Sequence, residues 1–275
     1  FQTACQGGTV MINMMKADLY RIFRGIGIYI AVALIMIISS VSIVAKEPGY
    51  IGNGNVSYND EVVVSTMQET SSEKGTLVQG ILAANINLYY PLIIIVFVIL
   101  MKEFSNKTMK NTLSSAVSKR KYFSYKMIMS LGFSALFIIF GNLFAYVLNF
   151  IVNGKEYTEP IIDILKITIL QMPMLLGIVS LLVFIGFLFK KTAVYNAISI
   201  SFIMLFQIVL GFICVFTESE NLKKFLENYE LQSALNKLAY FPESKYCLIC
   251  FGIGTVEILV FSVFGYYIFK KSEIK

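Results

Sequence analysis

The sequence predicts an all-α membrane protein with six transmembrane helices, and three observations carry that reading. First, 57% of the 275 residues are hydrophobic and only 15% charged, against about 45–50% apolar and 25% charged in a soluble domain. Mean hydropathy is correspondingly high, +0.72. Second, six apolar stretches reach the roughly 20 residues a helix needs to cross a hydrocarbon core of about 30 Å. They run over Gly25–Val44, Leu77–Met101, Met127–Val152, Ile164–Phe189, Ala193–Phe216 and Tyr246–Phe269. Third, Lys and Arg gather on alternate connections. With both termini inside, the inner segments hold 15 basic residues and three acids (Asp18, Glu103, Glu273), the outer ones eight against 13. That asymmetry predicts a multi-pass cell-membrane protein with both termini in the cytoplasm.

None of the six runs shows the two-residue alternation of a barrel strand. Backbone groups in lipid must also be satisfied within their own segment, so each run reads as a helix. The net charge of +6 is therefore a sum over two polarised faces, and it does not point to nucleic acid.

Along the chain, Phe1–Val10 precede the first methionine, Met11, and share no pattern with the rest of the chain; they are set aside as an added segment. The remainder, 11–275, reads as one transmembrane domain. Met11–Arg24 carries Met11, Met14, Met15, Leu19, Ile22 and Phe23 at helical spacing, with Lys16, Asp18, Arg21 and Arg24 on other faces. This is the pattern of an amphipathic helix lying on the inner leaflet. The connection Ala45–Thr76 is rich in Gly, Asn, Ser and Glu, with Glu61–Ser65 its one strand-like patch.

The inner connection Lys102–Lys126 carries seven basic residues and one acid, with apolar points at Phe104, Met109, Leu113 and Val117. Attraction to anionic lipid, worth about 1 kcal/mol per basic residue, accounts for the charge but not for apolar knobs on a short polar helix. The stretch reads as a docking element for a cytoplasmic partner. Lys190–Asn196 is too short to be more than a minor second contact.

On the outer side Thr217-x-x-Glu220 has the form of a capping box. Leu222, Phe225, Leu226 and Tyr229, then Leu231, Leu235 and Leu238, follow helical spacing, and Pro242 ends the run. An amphipathic helix is expected here, either lying on the membrane or dipping into it.

Within the spans Glu257 is the sole acid, which marks it as a functional or an interhelical residue. Gln207 and Gln171 are the further intramembrane candidates for a substrate path. For the amides, Asn85, Asn87, Asn142 and Asn149 included, interhelical hydrogen bonding at about 0.6 kcal/mol each is the alternative. Pro173 marks a kink, and Gly132, Gly141, Gly177, Gly186, Gly252 and Gly254 permit close helix approach. Cys5, Cys214, Cys247 and Cys250 form no disulfide framework, although a Cys214–Cys247 bridge or a Cys247/Cys250 redox pair is open.

The function classes left are few. Histidine is absent, which removes the commonest general base and metal ligand. No GxxxxGK[ST] phosphate loop occurs, and no paired acids or Ser/Lys dyad supports an intramembrane enzyme.

The string Glu103-Phe-Ser-Asn-Lys-Thr108-Met-Lys-Asn-Thr-Leu113-Ser-Ser-Ala-Val-Ser118-Lys-Arg120 resembles the first cytoplasmic loop of type-2 ABC exporter permeases, the membrane subunits of bacterial ABC transporters. There an acid, a Gly-Thr-like pair, a Leu and a Ser-Arg-like pair recur in that order; here Lys107 stands where Gly is usual. The pre-span segment KADLYRIFR, the six-span layout and the outer amphipathic stretch also look like that family, so the resemblance covers Met11–Lys275.

It implies that the loop is a coupling helix gripped by an ATP-binding subunit, with Glu103, Phe104, Asn106, Lys107, Thr108, Leu113 and Arg120 as contacts. It also implies a permease that is not itself an enzyme. No cofactor is expected on this chain, ATP and Mg being held by two copies of a partner ATPase. A second permease copy or paralogue would complete the pore. The spans lack repeated charge, so an amphipathic or lipid-like substrate such as a peptide, bacteriocin or toxin fits better than an inorganic ion. The alternative from another class is a non-transporting six-span sensor or scaffold.

Overall fold

The computed structural model describes residues 14–46, 77–106, 108–109, 117–155, 158–216 and 219–272. Their regular structure is all helical, with no strand among the described residues. The segment Phe1–Val10, the patch Glu61–Ser65, Thr217 of the capping box, Lys107 and Leu113 lie outside them.

Helix α1, residues 14–24, runs into α2 (Ile26–Ala45) at Gly25. A side chain at Gly25 would crowd the Arg21 carbonyl at 3.0 Å and Lys102 Nζ at 3.2 Å, so the turn there calls for glycine. The second predicted span is not one uniform helix. It consists of α3 (Leu77–Ala83) and α4 (Asn85–Ser105), and α4 opens on a 3-10 turn, Asn85–Leu88, and widens into a π turn at Phe97–Met101. Pro91 supplies a physical reason for the break. Its ring clashes with the carbonyl four residues earlier, and that residue, Asn87, lies in the 3-10 turn.

Helix α5, Lys119–Asn153, starts eight residues before the predicted span and is capped by Ser118 Oγ, which accepts from the Lys121 amide at 3.4 Å. The basic segment Lys119–Lys121 is thus the first turn of a membrane-length helix. At 1.5 Å per residue its 35 residues span about 52 Å, longer than a hydrocarbon core. Helix α6 is Ile161–Phe189, α7 Thr192–Phe216, α8 Glu220–Tyr229, α9 Leu231–Ala239 and α10 Ser244–Lys271.

Five helices among the described residues are long and apolar enough to cross a membrane: α2, α4, α5, α6 and α10. Helix α7 covers the remaining predicted run with 25 residues. Large apolar side chains such as Ile26, Val41, Leu136, Ile151, Leu248 and Val263 face outward, as expected where the solvent is lipid.

Helices α6 and α10 make the closest crossing. A side chain at Gly254 would run into the backbone of Pro173 and Met174, and one at Gly177 would collide with the Glu257 carboxylate. Gly141 and Gly186 lie against Ile35 and Leu100, whereas a side chain at Gly132 or Gly252 would meet nothing within 4 Å.

The amphipathic segment that the sequence places on the outer side is two helices, broken at Glu230, and α9 does not lie on the surface. Ala234, Leu235, Leu238 and Ala239 are fully buried, packed among α3, α4 and α6.

Near α9, Glu159 is buried and its Oε1 accepts from the Gln79 amide at 2.9 Å, at the start of α3. Burial pushes its carboxyl above the usual glutamate range, against the pull of the Gln79 and Val78 amides. A raised folded-state value means stability that is present below the ordinary glutamate value, about 4.3, and lost as pH rises through the raised one. Glu159→Gln keeps the acceptor without the charge. Melting curves of the variant taken across pH 4–8 are expected to be flatter than those of the wild type on this account; an unchanged slope would count against it.

Candidate functional site

The end of the bundle where α4 stops and α5 starts holds a buried cluster of charge. Asp18 and Arg21, three residues apart on α1, pair with each other, and Arg21 also pairs with Glu103 on the last turn of α4. Tyr122, Tyr125 and Lys126 enter from the second and third turns of α5. The Lys126 side chain is fully buried, and its Nζ donates to Asp18 Oδ2 at 2.6 Å, Glu103 Oε1 at 2.9 Å and the Ile99 carbonyl at 3.1 Å. An ammonium has three donors, and all three are used. The Ile99 carbonyl belongs to the π turn, where the widened backbone changes its usual helical pairing.

Around the carboxylates the partners are equally complete. Glu103 Oε2 accepts from the Tyr122 hydroxyl, and Asp18 Oδ2 accepts from Tyr125 at 2.9 Å. The Lys126 ammonium also lies 5.8 and 5.6 Å from the ring centres of Tyr122 and Tyr125. Asp18 and Glu103 are each 4% exposed, while Arg21 is the wet edge of the group.

Two carboxylates against two cations leave the cluster neutral. Each ion buried alone costs several kcal/mol, so only complete pairing makes the arrangement tolerable. Burial pulls the Asp18 carboxyl up, but Lys126 and then Arg21 outweigh it and hold the group below the usual aspartate range.

An aromatic layer extends the same junction to α6 and α10. Phe104 meets the Phe187 ring edge-on at 6.0 Å, and Phe187 packs 4.8 Å from both Phe123 and Phe269. Lys119 Nζ donates to the carbonyls of Lys270 and Ser272, closing the C-terminal end of α10.

Of the predicted loop contacts, Asn106 and Arg120 are exposed and Phe104 and Thr108 half-buried. The Glu103 carboxylate is turned inward and occupied. Asp18, assigned to a polar face of an interfacial helix, in fact points into the protein, and Arg21 reaches the cluster from its wet edge. Sequence reasoning missed Asp18, Arg21, Tyr122, Tyr125 and Lys126 as one group. A signal was present: among connections expected to carry 15 basic residues and three acids, an acid embedded in apolar sequence asks for a buried partner.

The intramembrane candidates separate. Gln171 is fully buried and its amide is spent on fixed bonds: Nε2 donates to the Leu82 and Leu235 carbonyls at 2.9 and 2.8 Å, and Oε1 accepts from Asn85 Nδ2 at 2.6 Å. Glu257 sits half-buried in the α6–α10 seam against Gly177, with no side-chain hydrogen bond or ion pair among the described residues. Gln207 lies on α7 and Cys214 near its end, with side chains outside the described set. Cys247 and Cys250 are free thiols, so no Cys214–Cys247 bridge forms. No cluster of His, Cys, Asp and Glu suited to a metal occurs among the described residues.

No protein-family model matches the chain, and no curated protein matches it.

Proposed function

We propose that this chain is the membrane-spanning permease subunit of an ATP-driven ABC exporter, worked by a separate cytoplasmic ATP-binding subunit and paired with a second permease. The reading rests on the resemblance of the Glu103–Arg120 string to a coupling loop. The observation that supports it best is the charge cluster at the base of that loop. Because Glu103, Lys126, Asp18 and Arg21 join α4, α5 and α1, a push on the loop is delivered to three helices at once. Exposed Asn106 and Arg120 flank the loop as the contact surface, with Glu103 as its internal anchor.

Six crossings, α7 included, and a cytoplasmic placement of both termini belong to this reading. So does export of an amphipathic peptide, bacteriocin or toxin, with Glu257 in the α6–α10 seam as the acid facing a cationic group on it.

Purified in tagged form from its own membranes, the chain is expected to bring down an ATP-binding subunit with vanadate-sensitive ATPase activity. Asn106→Asp combined with Arg120→Glu is expected to lose that activity at unchanged yield of the chain. Recovery of the chain without any ATPase would favour the sensor or scaffold instead.

A further inference from the structure

A cavity of about 30 Å³ lies where the break between α3 and α4 faces α2 and α5. Ser39 and Ser42 line it from α2, Asn85 and Asn87 from the break, and Asn142 from α5. All five are more than nine-tenths buried. In a bundle surrounded by lipid, polar groups in such a place are costly unless they are satisfied.

Two of the amides have fixed orientations. Asn85 Nδ2 donates to Gln171, and Asn142 Nδ2 donates to Thr168 Oγ1 at 3.0 Å. Both partners are on α6, which does not line the cavity. The amide oxygens are therefore the ends left to face inward. The hydroxyls of Ser39 and Ser42, three residues apart on one face of α2, hydrogen-bond no other described residue.

We propose that this cavity binds one dehydrated monovalent cation, sodium or potassium, through neutral oxygens of Ser39, Ser42, Asn85 and Asn142. Its volume is that of one or two water molecules, too small for a peptide side chain. No carboxylate lines it, so the charge of a divalent ion would go uncompensated. An anion would need several donors, and with the Asn85 and Asn142 donors pointing away it would be left mainly the two Ser hydroxyls. Interrupted helices that hold ions through amide, hydroxyl and backbone oxygens are an established way of building such sites within a membrane. Bound there, the ion would hold the α3–α4 break against α2 and α5, whatever the chain transports.

The test uses the purified full-length chain in lipid nanodiscs. Retention of radiolabelled sodium, and of rubidium as a potassium analogue, is measured, together with melting in sodium, potassium and N-methylglucamine chloride at one ionic strength. Saturable retention of one ion and a higher melting temperature in its salt are expected. The double variant Ser39→Ala, Ser42→Ala should bind about tenfold more weakly or worse while melting like the wild type in N-methylglucamine. Should that variant fail to fold, Asn142→Asp, which adds a charge to the site, is expected to tighten retention. No saturable retention by the wild type, with equal melting in all three salts, means water only and overturns the proposal. Wild-type retention by the variants that fold places the ion elsewhere and overturns it equally.

Discussion

Lys126→Met is expected to destabilise the folded chain by about 3–5 kcal/mol, the cost of leaving buried charge without its counter-ion. Asp18 and Glu103 cannot exchange the ammonium for water, because each is 4% exposed. Arg21 reaches both carboxylates but is one cation for two charges. The attraction lost is partly repaid by the desolvation the lysine no longer suffers; the two stranded carboxylates have no such compensation, and their term dominates. Adding Asp18→Asn to Lys126→Met leaves Glu103 paired with Arg21 and should recover most of the loss.

Thermal melting of the three proteins, purified in the same detergent, decides it as a double-mutant comparison. A double variant no more stable than the single one would show that charge is not the cause. The acid limb supplies a second check. Asp18 is held below the usual aspartate range, so its contribution is present at neutral pH and lost as pH falls through the lowered value. In Lys126→Met, where charge on Asp18 is itself the cost, lowering the pH should instead restore part of the lost stability.

Gln171→Leu is expected to cost about 3 kcal/mol. Interhelical hydrogen bonds in membranes average about 0.6 kcal/mol, so counting bonds alone gives under 2 kcal/mol. The larger effect is on what remains. The Asn85 amide loses its acceptor and the Leu82 and Leu235 carbonyls lose the donor that Gln171 supplied, all of them staying buried, at about 1–3 kcal/mol for a group left unsatisfied. The variant should also loosen α9 selectively, since Gln171 is its polar tie to α6 and α3. Amide hydrogen exchange over Leu231–Ala239 should quicken more than exchange in α5 or α10. Uniform quickening, or none, would count against this role.

Much of the architecture is legible in one dimension. The apolar runs at Met127–Val152, Ile164–Phe189 and Tyr246–Phe269 each fall within a single helix, and Gly25–Val44 does so from Ile26 onward, because a backbone in lipid has no other way to satisfy its own groups. The amphipathic pattern from Leu222 to Leu238 announced helix correctly, yet the reset of its apolar register at Glu230, which splits it into α8 and α9, was visible only as a change of spacing. The break in the second span had its own signal in Asn85, Asn87 and Pro91, but mean hydropathy passes over it.

The candidate site was the less legible part. Asp18 read as one more charge on an interfacial helix and Glu103 as a surface contact, because each was judged against its sequence neighbours. Their partner, Lys126, lies 108 residues from the first and 23 from the second.

The sequence by itself determined that the chain is apolar helices with a polarised charge distribution, since hydrophobic run length and the sign of the connections are local quantities. Only the tertiary structure decided which of those charges face water and which face each other. It turned Asp18, Glu103 and Lys126 inward and Asn106 and Arg120 outward. The physical reason is that an ion enters a low-dielectric interior only when its counter-ion arrives from another element, and which element arrives is set by packing.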